Sequence, residues 1–187
     1  MFMELRMYGL VNYQLTGIQM GIQFLHSTIE YSQSVKRKGG DVLNHYNDWA
    51  DNYKTVILLN GGTTNNNPDR LGSLNKHLQT LKENKIFCTE FSEIDIGDQL
   101  TSFTFLVDER VFNKKKYPDF DDWLDISKID PVEFERIQFP FNSSVNSTSF
   151  ASKLIQINHP EYLEWVKFVG GQKNVFLRNF LKQFNLA

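Results

Sequence analysis

Strand-like and helix-like segments alternate along the first hundred residues of the chain. Short runs of bulky apolar residues predict strands at 6–15, 54–60, 86–91 and 101–107. Between the runs, apolar residues recur at helical spacing, which predicts helices at 16–34, 42–53 and 71–84. Alternation of this kind predicts an α/β domain with a mixed, largely parallel four-stranded sheet and helices on both faces.

Two of these helices carry specific local signals. In the third, leucines fall at steps of 3, 4 and 3 residues, namely Leu71, Leu74, Leu78 and Leu81. In the first, Thr16 is a candidate N-cap, and Gln19 three residues later completes a candidate capping box. The start of the first helix is therefore the best defined boundary in the sequence.

The first helix carries two neighbouring stripes of opposite character. The polar stripe consists of Gln19, Gln23, His26 and Glu30. The apolar stripe consists of Ile18, Ile22, Leu25 and Ile29. Periodicity alone favours a solvated face for the polar stripe. The alternative is that the polar stripe lines a cleft, where a histidine is the member that ordinarily titrates near neutral pH.

A second candidate site is the acidic segment 92–99 between the last two predicted strands. It contains Glu93, Asp95 and Asp98 and is followed by Thr101. Carboxylate oxygens are ligands that Mg²⁺ and Ca²⁺ accept, but the spacing matches no calcium-binding loop. A solvated acidic turn is the simpler interpretation. The sequence also lacks a phosphate-binding glycine loop and a zinc pattern, so we expect neither a cofactor nor a metal.

Composition narrows the class of protein. The 187 residues include 16 phenylalanines and carry a formal charge of −2, which predicts a folded chain with little overall attraction for nucleic acid. Cys88 is the single cysteine, so no internal disulfide forms, and it is most simply a small residue within a strand. With no signal peptide and no apolar run of roughly 20 residues, we expect a cytoplasmic protein that does not engage a membrane.

The character of the sequence changes after Asp108, which predicts a domain at 1–110 and a mainly helical extension at 111–187. Short helices are expected after Asp119 and Asp130, a polar loop at 142–149, and two helices within 160–181 that are split at 170–171. Four large aromatic side chains are expected to pack against the core or one another: Trp123, Phe134, Trp165 and Phe180.

Two segments together resemble the type 2 peptidyl-tRNA hydrolases, and most closely a group of small phage proteins related to them. Residues 7–27 resemble the family's opening strand and first helix, in which a glutamine (here Gln23) stands three residues before a histidine (here His26) that precedes a small residue. Residues 91–106 resemble the family's acidic loop and last strand. The resemblance spans roughly residues 5–107.

The resemblance implies a mixed four-stranded sheet with helices on both sides and cleavage of the ester between a stalled peptide and tRNA. It implies that His26 and Glu93 handle protons. It also implies a set of substrate-binding residues: Gln19, Gln23, Glu30, Asp95, Asp98 and Thr101. The family's aspartate aligns near Ser92, and its threonine pair aligns near Ser102 and Thr104.

The sequence departs from the family where cations are expected. The lysines of the family's first helix align with Gly17 and Gln19, so the main attraction for tRNA phosphates is missing there. We therefore favour a binding module with little or no esterase activity, acting on a host protein, a nucleotide or RNA, in a host cytoplasm. The alternative is an active, divergent hydrolase that binds tRNA. A homodimer is compatible with either.

These hypotheses make different demands on the structure. We expect Gln23, His26 and Glu93 to approach one another at one end of the sheet, because sites in open α/β sheets form at the carboxyl ends of strands. A basic surface beside His26 favours the hydrolase, and an apolar or acidic one favours the binding module.

Overall fold

The computed structural model describes residues 3–124 and 160–187. The chain divides into two compact units. The first comprises Met1–Glu109 together with Phe176–Ala187, and the second comprises Arg110–Val175. The C-terminal residues therefore belong to the same unit as the N-terminal sheet.

The first unit contains all four predicted strands. They are β1 (Leu5–Val11), β2 (Val56–Asn60), β3 (Cys88–Glu93) and β4 (Gln99–Asp108), in the spatial order β2-β1-β4-β3. Strand β1 ends four residues earlier than predicted, because Asn12 turns the chain. Its side-chain Oδ1 accepts a hydrogen bond from the Gln14 backbone N–H (2.9 Å), and its carbonyl accepts one from Leu15 (3.3 Å).

The sheet is mixed, as predicted, but the expectation that it is largely parallel is wrong for neighbouring strands. Strands β1 and β2 pair in parallel, whereas β4 is antiparallel to both β1 and β3. The reason is the short connection from β3 to β4, which reverses the chain and inserts β4 between β1 and β3. Of the three pairs of neighbouring strands, only β1 and β2 are parallel strands joined by a helical crossover.

The helices of the first unit follow the predicted order. They are α1 (Gly17–Lys38), α2 (Gly40–Asp48) and α3 (Ser73–Glu83). The Thr16–Gln19 capping box is present. Helix α1 continues past the predicted end to Lys38, where Gly39 adopts a φ of 69° that glycine tolerates best. Helix α2 runs on into a π-helical turn at Trp49–Tyr53, so the predicted helix at 42–53 is found in two parts.

The second unit has an aromatic core in its described part. Helix α4 (Glu109–Phe112) lies at the boundary between the units and is followed by α5 (Phe120–Trp123), α6 (Pro160–Phe168) and α7 (Gln172–Leu181), the last of which continues into the first unit. Phe120 and Trp165 are buried together, and Trp123 packs against them. The predicted split at 170–171 separates α6 from α7. Phe134, the helix expected after Asp130 and the loop at 142–149 lie outside the described residues.

Helices α1 and α3 lie on opposite faces of the sheet. A Cβ atom on Gly9 would stand 2.2 Å from a ring carbon of Phe24, so α1 crosses β1 at close approach on that face. The next residue, Leu10, points to the other face and lies beside Leu74 of α3 near Gly61. On that second face, the edge of one ring meets the face of the other between Phe105 of β4 and Phe180, with centroids 6.3 Å apart. Phe105 also stacks on Tyr8 (6.1 Å) and Phe103 (6.3 Å).

In the two described ranges, no helix combines the length and the apolar character required to cross a membrane.

Candidate functional site

The side of α1 that faces the sheet is partly polar. Gln23 and Ser27 are both buried there, on the same side of the helix as the aromatic residues Phe24 and Tyr31. The Ser27 hydroxyl lies 2.6 Å from the Thr104 hydroxyl. Helix α1 is therefore held on the sheet by hydrogen bonds between hydroxyl-bearing side chains as well as by apolar contact.

Gln23 is fixed at both ends of its amide group. Its Nε2 donates to Oε2 of Glu93 at 2.9 Å, and its Oε1 accepts from the Thr101 hydroxyl at 2.8 Å. The side chain is 8% exposed, so the prediction of a solvated polar face is wrong at this position. The reason is that the sheet presents hydrogen-bonding partners to α1 there, and a buried amide with both groups paired carries little penalty.

A register shift in the sheet makes this arrangement possible. Phe91 pairs with Ser102, whereas Ser92 pairs with Leu100, so Thr101 is an extra residue between the two pairs. As a result, Thr101 and its neighbour Ser102 both reach Gln23, the first at the side chain and the second at the backbone carbonyl (2.6 Å). Bulges of this kind redirect side chains and are frequent beside functional sites.

His26 lies beside this cluster without a hydrogen bond at its buried nitrogen. Its ring packs on Phe91, with centroids 4.5 Å apart, and its Nδ1 is buried with no hydrogen-bond partner in the described structure. Phe91 stands two residues before Glu93, so the structure brings Gln23, His26 and Glu93 to one end of the sheet. A buried polar atom without a partner is uncommon in a folded protein. We call Gln23, His26, Glu93 and Thr101 the polar cluster.

The other predicted site residues are not part of the polar cluster. The Gln19 side chain accepts from the Thr16 backbone at 3.0 Å and so serves the capping box. Glu30 is half-buried further along α1. Asp95 and Asp98 are exposed in the turn after β3, and the Asp98 carbonyl accepts from the Asn66 amide at 2.9 Å.

Asn12 and Thr64 form hydrogen bonds at the same end of the sheet, and neither was singled out from the sequence. The Asn12 amide donates to the Thr64 hydroxyl at 3.1 Å, and the Asn12 backbone N–H donates to the Thr101 carbonyl at 3.0 Å. The Thr64 hydroxyl in turn donates to the Leu100 carbonyl. The available signal was an asparagine inside the predicted strand 6–15, because asparagine is depleted in strands and favours turns. These contacts fix the loop after β2 next to the polar cluster.

The apolar stripe of α1 lies on the opposite side of the helix, away from the sheet. Its exposed fractions are 80% for Ile18, 46% for Ile22, 55% for Leu25 and 44% for Ile29. We call these four residues the outer stripe. A surface helix ordinarily turns such a stripe toward the core and its polar residues toward water. Helix α1 buries Phe24, Tyr31 and Val35 in this way and carries the outer stripe as a second, exposed apolar surface.

The surroundings of the polar cluster are apolar and acidic. Ile94 and Ile96, in the turn directly after Glu93, are 78% and 52% exposed. Helix α1 carries neither lysine nor arginine before its last turn, where Lys36, Arg37 and Lys38 occur. The basic surface expected beside His26 in a hydrolase is therefore not supplied by α1.

Two further features of the described residues bear on ligand binding. In the ranges 3–124 and 160–187, no three His, Cys, Asp or Glu side chains are grouped so that they could hold a metal ion. An open depression runs along α3 between Leu71 and Glu83, and none of the predicted site residues lines it.

Comparison with known proteins gives no family assignment. No protein-family model matches the chain, and a search of curated proteins finds no match either.

We expect Gln23→Ala to lower the free energy of unfolding by about 1–3 kcal/mol, because it leaves the Thr101 hydroxyl and the Glu93 carboxylate without a shared partner. Urea unfolding followed by circular dichroism measures the change. Gln33→Ala, at an exposed position of the same helix, is the control and should have little effect. Equal stability of the Gln23 and Gln33 variants would contradict the role assigned to Gln23.

Cys88 should react slowly in the native protein. Burial, with a smaller contribution from the Glu90 carboxylate, raises the pKa of the Cys88 thiol to about 11, so little thiolate is present at pH 8. We expect iodoacetamide to modify the native protein far more slowly than the urea-unfolded chain at pH 8, as measured by mass spectrometry. Similar rates in the two states would show that the thiol is not protected.

Proposed function

We propose that the α/β unit is a protein-binding module with a fold related to the type 2 peptidyl-tRNA hydrolases and with little or no esterase activity. The observation that carries the proposal is the outer stripe. Four aliphatic side chains on one exposed helix face are the kind of apolar patch that marks a protein interface.

The polar cluster is poorly suited to ester hydrolysis. Hydrolysis requires an activated water and donors directed at the developing oxyanion. Here Gln23 engages both one Glu93 oxygen and the Thr101 hydroxyl. Three of the residues that the resemblance assigns to chemistry, Gln23, Glu93 and Thr101, are thus bonded to one another, which is the arrangement of a structural cluster.

The charge near the cluster favours a protein over a nucleic acid as partner. Phosphate backbones are bound chiefly through lysine and arginine. The part of α1 beside the cluster has neither, while Glu93, Asp95 and Asp98 contribute negative charge at the same end of the sheet. An apolar helix face with an acidic border matches a protein partner better than tRNA, a nucleotide or RNA.

An active divergent hydrolase is the second candidate, and one observation favours it. His26, Gln23, Glu93 and Thr101 do lie at one sheet end, and Nδ1 of His26 is buried without a partner. A substrate that displaced Gln23 from Glu93 would free both a carboxylate and a hydroxyl beside the imidazole.

A peptidyl-tRNA cleavage assay separates the two candidates. We expect the purified protein to release no more peptide than its His26→Ala variant. Helix α1 carries no cation beside the polar cluster that could hold the tRNA, and Gln23 is bonded to both Glu93 and Thr101. Gel electrophoresis of the tRNA product gives the rate. Turnover that is lost in both His26→Ala and Glu93→Gln but retained in Ile22→Glu would establish the hydrolase and overturn the proposed function.

The outer stripe should be required for protein binding. We expect Leu25→Glu to reduce, by at least about tenfold, the amount of protein cross-linked to the chain, because a carboxylate at the centre of the stripe must be desolvated on binding. The matched control is Val56→Glu, which places the same charge on another exposed aliphatic position of the unit. Cross-linked species are measured by quantitative mass spectrometry, with copies of this chain included. Equal yields for the two variants would remove the stripe from the binding surface.

A further inference from the structure

We propose that the partner of the outer stripe is a second copy of this chain, with the two α1 helices packed antiparallel about a two-fold axis. The inference rests on the proposed function, since it names the protein that covers the same surface. Three features of α1 support it: the spacing of the stripe, the glycines beside it and the charges at its two ends.

The spacing of the stripe is self-complementary. Its four residues follow one another at steps of 4, 3 and 4, which is symmetric about the midpoint between Ile22 and Leu25. A two-fold axis at that midpoint places Ile22 against Leu25 of the second copy, and Ile18 against Ile29 of the second copy. Apolar residues at steps of 3 and 4 are also the pattern by which two helices pack along a seam. An interface about a two-fold axis uses the same patch on both subunits, as a self-complementary stripe allows.

Two glycines beside the stripe leave the helix backbone accessible. Gly17 and Gly21 are exposed, and a Cβ atom added to either would meet nothing within 4 Å. No packing requirement within the described chain therefore explains a glycine at position 21, inside a helix where glycine is unfavourable. A second helix lying close to this face would explain it, because only glycine leaves the backbone open to that approach.

The two ends of the stripe carry opposite charges. Lys36, Arg37 and Lys38 form the last turn of α1. The acidic turn, residues 94–98, lies at the other end, because β4 begins where β1 ends, with Val11 paired to Ser102, and α1 starts soon after β1 at Gly17. In an antiparallel pair, the basic turn of each copy approaches the end of the sheet that carries the acidic turn of the other. A parallel pair would bring like charges together.

The size of the stripe predicts a dimer of modest affinity. From their exposed fractions, the four side chains present roughly 400 Å² of mostly apolar surface, against about 800 Å² per partner in a standard interface. The surface around Gly17 and Gly21 and the charged residues at the two ends supply the rest of the area that each copy buries. We therefore expect association in the micromolar range, with an affinity that falls as salt screens the charged ends.

Sedimentation velocity over a concentration series tests the proposal with the full chain. We expect a reversible monomer–dimer equilibrium that Ile22→Glu or Leu25→Glu weakens by at least about 100-fold, because each puts two carboxylates near the two-fold axis. Gly21→Ala should raise the melting temperature of the chain, through higher helix propensity, yet weaken the dimer several-fold. Val56→Glu is the control and should leave the dimer unchanged, and circular dichroism checks that each variant is folded.

Paired cysteines test the orientation of the helices. An antiparallel pair brings position 18 near position 29 of the second copy, so a mixture of Ile18→Cys and Ile29→Cys chains should form a disulfide-linked heterodimer on mild oxidation. Either variant alone should cross-link far more slowly, because like positions are separated by about 16 Å along the helix axis. Rapid cross-linking of each variant with itself would overturn the antiparallel arrangement.

The outcomes distinguish this inference from the proposed function. The proposal that a second copy covers the outer stripe is overturned by either of two results. One is a chain that stays monomeric at every concentration, and the other is a dimer that tolerates both glutamate substitutions. If Leu25→Glu still abolishes cross-linking to another protein in that case, the binding module stands with a different partner. A third result is a chain that dimerises as expected and also cleaves peptidyl-tRNA. In that case the second copy stands as the occupant, and only the non-hydrolytic function is overturned.

Discussion

The buried amide of Gln23 determines how α1 is oriented on the sheet. With one end bonded to Glu93 and the other to Thr101, this side chain can satisfy both of its polar groups only if it faces the strands. Ser27, one turn further along, follows the same orientation and meets Thr104. Once these two residues face inward, helical geometry leaves Ile18, Ile22, Leu25 and Ile29 facing outward. Phe24, Tyr31 and Val35 are buried on the same face, so the exposed apolar surface follows from the polar and apolar contacts of the inward face together.

The second, exposed apolar surface of α1 makes a binding function more consistent with the structure than a catalytic one. Gln23, Glu93 and Thr101, which the hydrolase resemblance would assign to chemistry, are occupied in holding α1 against β3 and β4. The side chains left free for a partner are aliphatic, and the acidic turn and the basic last turn of α1 stand at opposite ends of them. Such a surface offers apolar area for affinity and charge for orientation, which are the requirements of a protein interface.

Much of the fold could be predicted from the sequence, because local signals determine it. The leucine spacing of α3 and the capping box of α1 depend on residues within one or two helical turns, and both are confirmed. The position of β4 could not be obtained in the same way, since strand order depends on pairing between segments that are distant in the chain. That is why the sheet was expected to be largely parallel, although β4 separates β1 from β3.

The candidate site was predicted in part, for a related reason. Periodicity identified both stripes of α1, but it could not determine which one faces the sheet, because that depends on which strand residues lie opposite. The decisive residue is Thr101, which reaches Gln23 only because the bulge opposite Phe91 and Ser92 shifts the register of β4. The roles assigned to His26 and Glu93 stay predictions that the geometry alone does not test.

The central claim is that the outer stripe faces water in the single chain and is covered by protein in the assembly. Methyl NMR with a soluble paramagnetic agent measures this directly for Ile18, Ile22, Leu25 and Ile29, with Val56 as an exposed reference. The account predicts strong relaxation of all five residues in dilute protein, and protection of the four stripe residues, but not of Val56, as the concentration rises. Stripe methyls that are already shielded at the lowest concentration, or that stay accessible at the highest, would contradict it.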